Sequence, residues 1–92
     1  MAEQLQFVVA GPILRSDIPA LVRRLSAMVQ RGDAATIVCQ LRGVGASAAS
    51  LEALARLQLV AGRHGCRLRL RGASKELREL VEFAGMQDVL AV

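Results

Sequence analysis

Tryptophan and tyrosine are absent from this 92-residue chain, and its aromatic content is two phenylalanines, Phe7 and Phe83. A sheet that binds single-stranded nucleic acid stacks bases on aromatics carried by its strands. Only Phe7 falls in a strand-like segment, so no such platform can be built. One lysine, Lys75, accompanies 11 arginines, and the basic residues are spread from Arg15 to Arg78 rather than gathered in a block. The formal charge of +4 is therefore read as a scattered arginine excess of the kind a GC-rich genome produces, and no nucleic-acid partner is expected. There is one histidine, His64, with two cysteines, Cys39 and Cys66, a set too small and too widely spaced for any recognised zinc pattern. No apolar run approaches the roughly 18 residues of a membrane span. The short run from Phe7 to Leu14 lies behind Glu3 and is broken by Gly11 and Pro12, unlike a secretory signal. A cytoplasmic protein without membrane insertion is expected, its cysteines free thiols rather than a disulfide.

What the chain does have is aliphatic bulk: 15 Ala, 14 Leu, 10 Val and 3 Ile within a composition that is 53% hydrophobic. That is ample to offset conformational entropy, which excludes disorder. A chain of this length buries about 60–65% of its unfolded surface. This supports one core and a single domain over residues 1–92, without room for an elaborate active-site cavity.

The hydrophobic period switches along the chain between about two and about 3.6, the mark of alternating strands and helices. Leu5 to Ala10 reads as a strand ended by Gly11-Pro12. Ser16-Asp17 offers an N-cap, Pro19 fits the first turn, and Ile18, Leu21, Val22, Leu25, Met28 and Val29 form a helical stripe closed by Gly32-Asp33. Ala35 to Leu41 reads as a buried strand. A small-residue loop from Arg42 to Ala49 leads to a helix over Ser50 to His64, with Leu51, Leu54, Leu57 and Ala61 inward and Gly65 at its C-terminal turn. Arg67 to Arg71 alternates arginine with leucine, so one face meets the core and the other water. Ser74 caps a last helix that Gly85 ends, and Asp88 to Val92 can form a closing strand. The order β-α-β-α-β-α-β places a crossover in every gap, which predicts an α/β fold. The arginine-lined strand further predicts helices packed mainly on one face of the sheet.

Few groups could do chemistry. His64 as a base would need Cys39, Cys66 or a serine beside it, but the second helix runs back along the sheet and leaves His64 at the end where strands begin, away from Cys39. Gly43-Val44-Gly45-Ala46-Ser47-Ala48 has the form G-x-G-x-x-A of a dinucleotide loop. The acid such a site needs about 20 residues on is missing, because the next strand ends in Arg69 and Arg71. Ser47 and Ser50 lie where this loop enters the helix; either can serve as its N-cap, and either could carry a phosphate that changes local charge by about −2.

The order of elements, with the residues around this loop and in the C-terminal third, resembles the STAS family, the domain shared by anti-sigma factor antagonists and sulphate transporters. Its stretches D-L-S-G-V, D-S-S-G-L, G-G-x-L-x-L and a closing L-x-x-x-G-L-like turn are answered by Gln40–Val44, Ser47–Leu51, Gly65–Leu70 and Leu80–Met86, and Val9–Ile13 looks like its first turn. The resemblance implies a single STAS-like domain with a mixed sheet of four to five strands and three to four helices. It implies an interaction module that is not an enzyme and needs no cofactor or metal. In the family, the loop and second helix dock a kinase-type anti-sigma factor in a transcription-regulating partner switch, and phosphorylation of a loop serine ends the complex. The corresponding partner surface here is Gly43, Gly45, Ser47, Ala48, Ala49, Ser50 and Leu51 with the exposed side of the second helix, its partner an anti-sigma factor or serine kinase-like protein, and a homodimer is compatible with it. The family's two acids are Gln40 and Ser47 here. Alignment on Leu51 puts Ala49 at the phosphorylated serine, while counting from Gln40 puts Ser50 there, so the usual phosphoserine is expected to be missing, with Ser50 and then Ser47 as the remaining acceptors. The alternatives within the family are the small STAS subunit of a phospholipid-transport ABC system and a nucleotide-binding STAS domain.

Overall fold

The structure is a computed structural model that describes residues 4–31, 36–87 and Leu90. Strands and helices alternate as β1 (Gln4–Ala10), α1 (Ile18–Arg31), β2 (Thr36–Arg42), α2 (Ala48–Arg63), β3 (Arg67–Arg71) and α3 (Lys75–Phe83), with a 3-10 turn at Arg15–Asp17. Each pair of successive strands is joined by a helical crossover, so both pairings are parallel, and the strand order is β1-β2-β3. This corrects the expected mixed sheet of four to five strands: among the described residues the sheet is parallel and three-stranded. The closing strand expected over Asp88–Val92 lies outside the described residues except for Leu90, which is buried. Gly32 and Asp33, expected to close α1, also lie outside them.

Register decides which residues share a face. Phe7, Cys39 and Leu70 lie side by side across the three strands, as do Leu5, Ile37 and Leu68. These rows join one hydrophobic cluster with the inward residues of all three helices, among them Leu25 of α1, Leu54 and Leu57 of α2, and Leu77 and Val81 of α3. Burying each such leucine is worth about 1.5–3 kcal/mol. The other face carries Gln6, Val38 and Arg69 in one row and Val8, Gln40 and Arg71 in the next. Helices therefore cover one face, as the arginine alternation of β3 predicts.

Local chemistry explains the helix ends. Ser74 Oγ accepts the Leu77 N–H at 3.1 Å and starts α3. Asp17 turns back to accept the Leu14 N–H at 2.9 Å, which holds the 3-10 turn ahead of α1. Both α2 and α3 end in Schellman turns, with Cys66 N–H donating to Ala61 O at 2.8 Å and Met86 N–H to Val81 O at 2.9 Å. At the β1 edge, the Arg24 guanidinium lies 4.9 Å from the Phe7 ring centroid and donates to the Val8 carbonyl at 3.4 Å, shielding a backbone acceptor that would otherwise invite another strand.

Candidate functional site

Three loops meet where the parallel strands end: Gly11–Leu14 after β1, Gly43–Ser47 after β2 and Gly72–Ser74 after β3. Their backbones pack against one another. Gly11 donates to the Arg42 carbonyl at 2.7 Å, and a β-carbon on Gly11 would overlap the Gly43 carbonyl. Gly72 has φ +84, and a β-carbon there would lie 2.8 Å from the Leu41 carbonyl oxygen, so both backbone conformation and space require glycine. Val44, buried at 6% exposure, pins the β2–α2 loop to the core.

Ser47 is the N-cap of α2, and the helix begins at Ala48, two residues ahead of the start expected from periodicity. The Ser50 N–H donates to Ser47 Oγ at 3.1 Å, and Ser47 Oγ donates to Ser50 Oγ at 3.0 Å. The two serines complete each other's hydrogen bonding. Ser50 is 1% exposed and points into the core. Of the residues the sequence assigns to a partner surface, Gly43, Gly45, Ser47 and Ala48 are exposed, Ala49 and Leu51 are half-buried, and Ser50 is buried. The loop thus brings the first six together at the surface, while Ser50 acts as a strut beneath them.

The surface extends beyond the loop. Facing away from the core, α2 carries Ala48, Ala55, Leu59 and Gly62, a second apolar stripe on a helix whose first stripe is already buried. Leu59 is 55% exposed. Ala55, Gln58, Leu59, Gly62 and Arg63 line a shallow groove, in which Gln58 Oε1 is buried without a hydrogen-bond partner. Beside the groove, Glu52 bridges Arg15 at 3.3 Å and Arg56 at 3.4 Å, which ties the loop after β1 to α2. Leu14, 61% exposed, stands next to this bridge in sequence. The sequence places the exposed side of this helix in the expected surface without singling out Ala55, Leu59 or Gly62, and Leu14 is outside that surface. The signal was present for three of them, since Leu51, Ala55, Leu59 and Gly62 repeat every three or four residues.

Cys39 is buried in the middle of β2, and burial pushes its thiol from 9.0 up to about 12, which suppresses the reactive thiolate. His64 is the exposed C-cap of α2, and the Cys66 thiol donates to its backbone carbonyl at 3.6 Å. Among the described residues no group of three or more His, Cys, Asp or Glu side chains could hold a metal ion, and no helix is long and apolar enough to cross a membrane.

The small-residue loop at the end of the parallel sheet thus leads directly into a helix whose outer face is largely apolar. The model of the family described as Mlab, STAS domain, matches residues 2–91. This chain belongs to the STAS domain family. No curated protein and no solved structure matches it. STAS domains are generally non-enzymatic modules that mediate protein–protein interactions.

Proposed function

We propose that this STAS domain is a non-enzymatic docking module that holds one protein partner constitutively on the Gly43–Leu51 loop and the outer face of α2. The observation that carries this reading is the uncovered stripe of Ala48, Ala55, Leu59 and Gly62. Small residues let a partner's backbone approach closely, and exposed Leu59 supplies an anchor. A phosphorylation switch has little to act on here. Ala48 and Ala49 carry no hydroxyl, Ser50 is buried, and the Ser47 hydroxyl is committed to the helix cap.

Two partner classes fit. The first is a kinase-type anti-sigma factor, with this chain as an antagonist that lacks its off-switch in a transcription-regulating system. The second is the ATPase of a phospholipid-transport ABC system, with this chain as its small subunit. The missing switch favours the second, because a permanent subunit has no need to be released by phosphorylation. Calorimetric titration of the protein against each purified candidate from the same cell tests the reading. One of them binds, and Leu59→Asp weakens that complex at least tenfold while the thermal midpoint stays in place. Binding by neither candidate, or unchanged affinity in Leu59→Asp, overturns it. Mass spectrometry after incubation with the anti-sigma kinase and ATP is expected to find no phosphate on Ser50 or Ser47.

A further inference from the structure

The sheet face opposite the helices carries a charge pattern for which docking by α2 has no use. Arg67, Arg69 and Arg71, all exposed, occupy alternate positions of β3 on this face, and Arg42 stands one step further along β2 from the Gln40–Arg71 pair. Alternate residues of a strand are about 6.6 Å apart, so the three β3 arginines form a straight row.

Nothing on the protein neutralises this row among the described residues. Their ion pairs are Arg15–Glu52, Arg56–Glu52 and Lys75–Glu79. Their acids are Asp17 ahead of α1, Glu52 on α2, and Glu76, Glu79 and Glu82 on α3; none lies on a strand. A row of like charges on one strand repels itself and is relieved by a counter-charged surface. Next to the arginines the face carries Thr36, buried Val38 and Gln40 of β2, with Gln6 beyond them on β1. It holds no aromatic side chain among the described residues, and its single exposed large apolar residue, Val8, lies on the far strand.

We infer that the open sheet face is a second docking surface, which takes an extended acidic protein segment whose carboxylates alternate along the strand direction and meet Arg67, Arg69 and Arg71 in turn. Arginine presents a planar fork that pairs with a carboxylate through two parallel hydrogen bonds. Glutamine amides suit the polar backbone of a peptide. Single-stranded nucleic acid would need stacking aromatics, and a membrane surface would need apolar anchors among the basic residues; this face has neither. Because it lies opposite α2, both surfaces can be occupied together, which makes the domain an adaptor between two proteins.

The test titrates the isotope-labelled intact protein with a peptide of five Glu-Thr repeats and follows amide resonances. Shifts are expected along β3 and the end of β2, with affinity falling at least tenfold in R67Q/R69Q/R71Q and less than twofold in R23Q/K75Q/R78Q, which removes the same charge elsewhere. R69E alone, at the centre of the row, is expected to lose at least threefold, and circular dichroism of each variant is expected to match the parent. Leu59→Asp should leave peptide binding unchanged, which separates this surface from the one on α2. Absence of binding, shifts confined to α2, equal loss in both triple variants, or tighter binding to oligothymidylate or to phosphatidylserine-containing vesicles overturns the inference.

Discussion

Helices α2 and α3 bury the same kind of stripe and turn different mixtures of residues to solvent. On the inside, Leu54 and Leu57 of α2 and Leu77 and Val81 of α3 are all fully buried. On the outside, α3 presents Lys75, Glu76, Arg78, Glu79 and Glu82, with Phe83 exposed at its last position, whereas α2 presents Ala48, Leu59 and Gly62 around half-buried Ala55, flanked by Arg56 and Arg63. Folding requires one apolar face per helix. Leu59 and Gly62 on the outer face of α2 are exposed and add little to the core, whereas α3 places charged residues at most of its outer positions. The proposed partner surface on α2 rests on this difference.

The largest effects should leave that comparison level. Leu57→Ala in α2 and Leu77→Ala in α3 each open a cavity beneath a fully buried side chain, and each is expected to cost about 2–5 kcal/mol in urea denaturation. A much smaller loss in one helix would mean that its inner face is less tightly packed than its burial implies.

The caps should begin to separate the two. Ser74→Ala removes one hydrogen bond, to the Leu77 N–H, and should cost about 1 kcal/mol. Ser47→Ala removes the equivalent bond and also the hydroxyl partner of buried Ser50, so its cost should be higher, about 1–2 kcal/mol, because an orphaned buried hydroxyl carries its own penalty. Equal losses would show that the serine pair is no more than a simple cap.

The outer faces give the smallest stability effects and the sharpest contrast. Leu59→Ala and Glu79→Ala should each stay within about 0.5 kcal/mol, yet only Leu59→Ala is expected to weaken partner binding. The Lys75–Glu79 pair, 3.9 Å apart and well exposed, adds little in any case. A last, slow change concerns the sheet beneath both helices. The raised Cys39 pKa means that the folded state favours the neutral thiol, so its contribution is complete below pH 9.0 and is lost as pH rises toward about 12. Denaturation midpoints should decline over that range in the parent and less in Cys39→Ala. With no tyrosine in the chain, that decline has no phenol titration mixed into it.

What could be read from the residues was whatever local physics decides. Leucine and arginine alternate over Arg67–Arg71, and the strand occupies those residues. Ser74 and Gly85 bracket a helix because a hydroxyl at the start and a left-handed residue at the end are short-range requirements. The helices' confinement to one sheet face was also legible, since exposed arginines on alternate strand positions leave no room for a second layer. Other features depended on parts of the chain far apart in sequence. Whether Ser50 points outward as a modifiable hydroxyl or inward as a strut depends on how α2 rolls on the sheet, and one residue of offset in the start of the helix changes that by about 100°. Leu51, Ala55, Leu59 and Gly62 repeat as regularly as Leu54, Leu57 and Ala61, so periodicity alone describes a helix with two apolar stripes and cannot say which is covered. The sheet breaks the tie, because α2 must lay Leu54 and Leu57 over it to close the core; of the other stripe, Leu51 still packs on the core's edge and Ala55 is half-buried, while Leu59 and Gly62 are left in water.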